Sequence, residues 1–425
     1  MKNKLFYCVL VSLLFPIAAY AQDPYQFVLR WGDGQLAKPV GIAIDSQGVV
    51  FVSDHLNNRI QKYDKNGHFI ANLGSPGSGD SQFYHPYSIA IDSADNLYVA
   101  DYGNFRIQKF DKDGNFVAKW GSYGLGDGQF SDPRGGPAYV AASPDGYIYV
   151  TERWAPDRVQ KFDADGKFIT KWGGTGTGDG QFNFPAGIAV DNDGYVYVCD
   201  HYNHRVQKFD ADGHFVAKWG SYGSGDGQFN LAIGIDIDPY GYIYVTSEDR
   251  FQKFGAEGNF ITRGGSYGYG DGQFVTAYGI AIDSERYVYA VDGYLVARVQ
   301  KFEPPLTYGF EGFLSPIENP PTVNKAKAGQ TIPVIWRLTD RNGLPVSDPA
   351  SFNSIKSIRV SCGSFVGEPT SVVDEPATGS SGLQYLGDGW WQYNWKTSKA
   401  YSGQCRTLKL TFNDYTVYSA NFSFK

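Results

Sequence analysis

The chain has 425 residues, with 37 lysines and arginines against 44 aspartates and glutamates and a formal net charge of −7. Phosphate recognition rests on a basic footprint that releases counterions, so this balance argues against a nucleic-acid partner. No stretch after residue 22 carries a helical period, and the chain is read as all-β.

Residues 1–21 read as a secretory signal peptide. Lys2 and Lys4 precede an apolar run from Leu5 to Ala19, and Ala19-Tyr20-Ala21 supplies small residues at a cut site before Gln22. The run is short for the ~20 residues that hydrocarbon demands, so no membrane span is expected after cleavage. Cys8 sits inside the run rather than just after a small-residue triplet, which argues against a lipid anchor. The mature protein is expected to be secreted or held in the cell envelope.

From residue 22 to 302 one unit recurs six times. Its core is Arg-x-Gln-Lys followed by an aromatic, and the lysines Lys62, Lys109, Lys161, Lys208, Lys253 and Lys301 follow one another at steps of 45 to 52 residues. A period of that size, built from short alternating runs and glycine turns, marks a propeller. The fourth copy shows the unit: Gly187 to Asp191, a turn through Asp193-Gly194, Tyr195 to Val198, Arg205 to Phe209, a turn through Asp212-Gly213, and His214 to Trp219. Aspartate-glycine between β-branched or aromatic runs signals a hairpin. The sixth copy lacks its fourth strand, because Glu303-Pro304-Pro305 breaks the pattern after Phe302. Phe27 to Gly32 matches Phe116 to Gly121, so the opening segment is expected to complete the last blade and close a ring without exposed edges.

These residues resemble the NHL repeat: Gly225-Asp226-Gly227-Gln228-Phe229 before the unit, the Gly-Ile-Ala-Val-Asp opening, Tyr-Val-Tyr-Val, the Asp200 to Arg205 loop and Val-Gln-Lys-Phe. The resemblance implies a six-bladed β-propeller. NHL propellers serve as RNA-binding modules, sensor domains, docking platforms and, in one branch, zinc lyases, so the resemblance leaves function open.

Residues 303–321 form a proline-rich linker running into the next domain, 322–425, where alternating runs such as Val334 to Leu338, Trp391 to Trp395 and Leu408 to Phe412 suit a small β-sandwich. From Tyr308 onward the chain is similar to the PxKF domain, through Gly309-Phe310-Glu311-Gly312-Phe313, Ala328 to Val334, Tyr393 to Thr397 and the closing Phe422 to Lys425. Ile335 and Trp336 stand where the name-giving lysine and phenylalanine would be. Cys362 and Cys405 both fall here, and an exported compartment lets them persist as a disulfide, which would add roughly 3 to 4 kcal/mol by loop entropy. Cys199, where Ser53 and Ala100 stand in the first two copies, reads as a buried small hydrophobe.

Several tempting motifs have plain readings. The glycine-dense Gly174 to Gly180 follows an outer strand and precedes no helix, so it is an interblade crossover rather than a nucleotide loop. Asp45, Asp92, Asp191, Asp238 and Asp283 open turns. Asp54 with Arg59 and Asp200 with Arg205 suit a brace between blades. His55 and His201 share a loop position in copies one and four, on opposite sides of a six-fold ring, too far apart for one zinc ion with ligands at ~2.0 to 2.1 Å. His85 could face the channel, while His68, His204 and His214 read as turn or outer-strand residues. No catalytic residue, metal ligand or cofactor is assigned.

What remains is a face. His55, Asn57, Tyr102, Trp154, His201, Tyr202 and Tyr294 from the loops between second and third strands, with His85, Tyr87, Arg134 and Tyr278 from the loops into the first strand, make an aromatic and amide surface of the kind that recognises ligands. The expected function is an exported binding or scaffold protein for a protein or glycan ligand at the cell surface. The alternatives are an extracellular lyase or hydrolase with a site at the channel mouth around His85, or a structural envelope component.

Overall fold

The computed structural model describes residues 25–131, 136–154, 156–304, 308–319, 322–340, 344–347, 351–360, 362, 371–375, 383–412 and 417–425. The chain divides into two compact units, one of residues 24–305 and one that takes in 306–425.

The first unit is six four-stranded antiparallel sheets. Blade 1 runs Pro39–Ile44, Val50–Asp54, Arg59–Tyr63, Phe69–Leu73, and blade 4 runs Pro185–Val190, Val196–Asp200, Arg205–Phe209, Phe215–Trp219; blades 2, 3 and 5 run in the same order from Pro86–Ile91 to Phe116–Trp120, from Tyr139–Ala142 to Phe168–Gly173 and from Ile235–Ile237 to Phe260–Gly264. The second and third strands of blade 4 are buried along their whole length, whereas its outer strand alternates half-buried and exposed residues. Sheet faces covered on both sides by neighbouring blades select the apolar run of the second strand, while Arg205 and Gln207 of the third are buried on hydrogen-bond partners, and only the wetted rim shows the two-residue period.

Blade 6 takes Ala277–Ile282, Val288–Asp292 and Arg298–Glu303 from the end of the repeats and Gln26–Trp31 from their start. In that closing pair Phe27 lies opposite Phe302 and Trp31 opposite Val299. Contacts between blades 6 and 1 match those between consecutive blades. Lys301 Nζ donates to Lys65 O at 3.2 Å, as Lys161 Nζ donates to Ala211 O at 2.9 Å between blades 3 and 4. The innermost strands approach so closely that a Cβ on Gly279 would lie 2.5 Å from Val40 O of blade 1, which is why glycine holds this position.

Local polar bonds fix each blade. Asp191 Oδ1 accepts from the backbone N–H of Asp193 and Tyr195 at 3.0 and 2.8 Å, so the repeated aspartates cap turns. Asp200 is fully buried and accepts from Asn183 N at 2.7 Å, Arg205 Nε at 2.7 Å and Gln207 Nε2 at 3.0 Å. Arg205 also donates to Gly178 O and Gln181 O at 2.7 and 3.0 Å, tying the glycine-rich crossover to the blade that follows it. Burial raises the Asp200 pKa, and its backbone and side-chain hydrogen bonds and Arg205 oppose that rise. Cys199 is fully buried, its thiol 3.8 Å from Gly234 O, at a place where Ser53 and Thr246 donate hydroxyl bonds to the next blade at 2.6 and 2.7 Å.

The second unit is a β-sandwich. A four-stranded sheet orders Gly309–Phe313, Thr331–Thr339, Trp390–Lys396 and Leu383–Gly387; a five-stranded one orders Val323–Ala326, Val417–Phe424, Cys405–Phe412, Phe352–Val360 and Ser371–Glu375. Ile332, Val334, Trp336 and Leu338 of one sheet share a core with Leu408, Leu410, Phe412 and Phe422 of the other. Trp336 is fully buried in that core. Gly309–Phe313 falls within the segment read as linker, yet it pairs with Thr331–Thr339 and belongs to the sheet. Cys362 and Cys405 form a disulfide with a Cα–Cα distance of 5.0 Å. No helix among the described residues is long and apolar enough to cross a membrane.

Candidate functional site

Two cavities open along the propeller axis. The larger, of about 670 Å³, is walled by the innermost strands. One position in it faces the second-strand aromatics Phe51, Tyr98, Tyr149, Tyr197, Tyr244 and Tyr289, and there the chain places Ala43, Ala90, Ala141, Ala189, Asp236 and Ala281. Asp236 is thus a lone carboxyl among alanines. Burial pushes its pKa up to about 7, against hydrogen bonds from the backbone N–H groups of Ile237 and Ile282. A raised carboxyl destabilises only while ionised, so the cost is absent below about pH 4 and complete above the raised value. Asp236→Ala is therefore expected to stabilise the protein at pH 8 by roughly 1 to 3 kcal/mol, discounted because the side chain is only half-buried. At about pH 4 the gain should vanish, leaving only the loss of the Ile282 N–H bond. Thermal unfolding at both pH values measures it.

The second cavity, of about 480 Å³, is the mouth. It gathers residues from the ends of second strands and the starts of first strands. A three-residue 3-10 turn follows the second strand in blades 1, 2 and 4, at His55–Asn57, Tyr102–Asn104 and His201–Asn203, each ending on a left-handed residue. That turn holds its first side chain against the axis.

Of the residues singled out from sequence, His55, Tyr87, Tyr102, Trp154, His201, Tyr202, Tyr278 and Tyr294 line this mouth. Asn57 does not, and its amide donates to Asp54 Oδ2 at 2.9 Å as part of the brace. His85 does not line it either: its backbone is left-handed at φ 56°, and its ring packs at a tilt against Tyr84 and His55 with centroids 4.4 and 4.8 Å apart. A side chain so placed faces its neighbours rather than the channel. Arg134 lies outside the described residues.

Sequence reasoning missed Lys38, Tyr139, Arg153, Phe184 and Glu248, all in the lining. Arg153 is the consequential one. Its side chain is 8% exposed, and its guanidinium sits over the rings of Tyr87 at 4.3 Å, Phe184 at 4.7 Å and Tyr102 at 5.6 Å. It bonds the Tyr87 hydroxyl, while Nε is buried without a hydrogen-bond partner. Among the described residues no carboxylate pairs with it.

The imidazoles are neutral at pH 7. Burial lowers the His55 pKa to about 3, with His85, Lys38 and Arg153 adding to it, and burial lowers His201 to about 4. Nδ1 of each lies against a carbonyl, Pro86 O at 3.3 Å and Ala232 O at 3.0 Å. A carbonyl only accepts, so Nδ1 carries the proton and Nε2 is left as an acceptor. The charged lining is then Lys38 and Arg153 against Glu248, whose carboxylate also takes a hydrogen bond from Asn230. Among the described residues no three His, Cys, Asp or Glu side chains gather to hold a metal ion.

With this geometry in view, the repeat has a name. The family model for the NHL repeat matches residues 36–63, 83–110 and 182–209. The chain carries NHL repeats. Forty of its residues are 52% identical to Protein lin-41 of Caenorhabditis elegans, a match spanning 9% of this chain and 4% of that protein. Among solved structures, a gluconolactonase from Xanthomonas campestris shows 17% identity and a TM-score of 0.48, covering 66% of this chain and 95% of its own. Virginiamycin B lyase from Staphylococcus aureus shows 14% identity and a TM-score of 0.45, covering 64% and 98%.

Proposed function

We propose that this chain is an exported binding protein whose NHL propeller recognises a protein or glycan at the mouth of its channel. The observation that carries the reading is the convergence of aromatic rings from several blades on one cavity around a buried guanidinium. Its volume lies within the range of small-ligand sites, and its mixture of rings with a few polar groups is their usual lining. The larger channel cavity offers mostly alanine, isoleucine and main chain.

Export is supported by the signal-like residues 1–21 and by the Cys362–Cys405 disulfide, which persists in an oxidising compartment. The C-terminal sandwich is read as a PxKF-like accessory module, its Trp336 filling the core where the motif has phenylalanine.

The test is capture of ligand from envelope extracts and a glycan array by the purified full-length chain, against a variant with Trp154→Ala, Tyr202→Ala and Tyr294→Ala. Tyr202 and Tyr294 are 46% and 62% exposed, so their loss spares the fold. Aromatic anchors carry much of an interface's energy, and affinity is expected to fall at least about tenfold with an unchanged unfolding temperature. Equal binding by both proteins would place recognition elsewhere.

A further inference from the structure

We propose that the mouth cavity binds an acidic sugar, with the Arg153 guanidinium receiving the carboxylate. The proposal rests on the reading of this mouth as the ligand site and names the ligand class it takes.

The first ground is the state of Arg153. Its Cζ lies over the Tyr87 and Phe184 rings, 4.3 and 4.7 Å from their centroids. The guanidinium bonds the Tyr87 hydroxyl, yet Nε has no partner although it is buried. A guanidinium presents its N–H groups in one plane, and a planar carboxylate matches that plane with two parallel bonds. A point cation such as lysine would not.

The second ground is sign and place. The protein carries a net charge of −7, so a cation kept buried at the axis runs against the overall field, and nothing among the described residues neutralises it. Position matters too. Arg153 follows the acid that ends the second strand, as His55, Tyr102 and His201 do in their blades, so it occupies the variable slot that faces the axis.

The third ground favours a sugar over a peptide terminus. Sugars present hydroxyls around a ring with apolar C–H faces. Here His55 and His201 offer neutral Nε2 acceptors, the Glu248 carboxylate accepts, and Tyr102 and Tyr278 supply ring surface. A cavity of about 480 Å³ suits one or two sugar units better than an extended chain.

Calorimetric titration of the full-length protein tests this with di-galacturonic acid, its methyl ester, and an N-acetylated tripeptide with a free carboxyl. The acid is expected to bind at least about tenfold more tightly than the ester, and that preference to disappear in Arg153→Gln while Arg153→Lys keeps a part of it. The ester comparison uses unaltered protein, so it stands even where a substitution at this buried site fails to fold. An ester that binds as tightly as the acid overturns the proposal, as does a preference that survives Arg153→Gln. Binding of the tripeptide in place of the sugar, or of neither, also overturns it. Loss of ester and acid binding alike in the triple aromatic variant, without any acid preference, would leave the mouth as the site and remove only the acidic-sugar assignment.

Discussion

Trp31→Ala is expected to destabilise the propeller by about 3 to 5 kcal/mol, the range for deleting a large core aromatic. Trp31 is 8% exposed although it lies only seven residues into the described chain. Its ring contacts Tyr289 of its own blade at 6.1 Å and Tyr63 of blade 1 at 5.9 Å, and a Cβ on Gly67 of the blade 1 turn would meet it at 2.8 Å. The side chain thus joins the last blade to the first. Against a typical domain stability of 5 to 15 kcal/mol, the loss is a large share of the total. Trp219 makes the same type of contact between blades 4 and 5, where a Cβ on Gly258 would meet it at 2.6 Å. Its strand is anchored by the covalent chain on both sides, so Trp219→Ala should cost less than Trp31→Ala. Urea unfolding of the two variants makes the comparison.

Asp200→Ala is expected to cost about 3 to 5 kcal/mol, for a different reason. The substitution removes the acceptor shared by Asn183 N, Asn203 Nδ2, Arg205 Nε and Gln207 Nε2. It leaves Arg205, 8% exposed, with only its carbonyl partners. Removing one member of a buried pair strands the other, which outweighs any desolvation relief. The exposed pair of Lys218 with Asp179 is the control, its carboxylate 51% exposed. Asp179→Ala should change stability by less than about 1 kcal/mol. Denaturant midpoints for the two variants separate the brace from the surface pair.

The ring was legible because its information is local and repeated. Asp-Gly turns, alternating runs and the Asp-to-Arg spacing each report on a few neighbouring residues, and counting strand types shows which blade is short of one. Gly309–Phe313 was assigned to the linker because prolines flank it, although the resemblance already ran through it; its pairing with Thr331–Thr339 is long-range and leaves no local sign. The mouth was half legible. His55, Tyr102 and His201 stand in a slot that turn chemistry fixes, so their place followed from the repeat. Arg153 occupies the same slot, but copy three departs there from its sisters, with Glu152 in place of aspartate and no Asn at the fourth loop position. Phe184 reaches the mouth through a left-handed backbone at φ 66°, a conformation that an aromatic residue gives no sign of adopting. The usable signal was variation: the residue that follows the second strand changes from His to Tyr to Arg to His to Glu to Gly around the ring.

The measurement that bears most directly on the closed ring is a cross-link. Gln26 and Glu303 face each other at the end of the closing strand pair, Cys199 is buried, and Cys362 and Cys405 are already joined. Oxidation of Gln26→Cys with Glu303→Cys is expected to give an intramolecular disulfide, identified as one linked peptide by mass spectrometry, with a raised unfolding temperature. A chain that stays unlinked, or links only to a second copy, would contradict closure by the first strand and with it the geometry of the mouth.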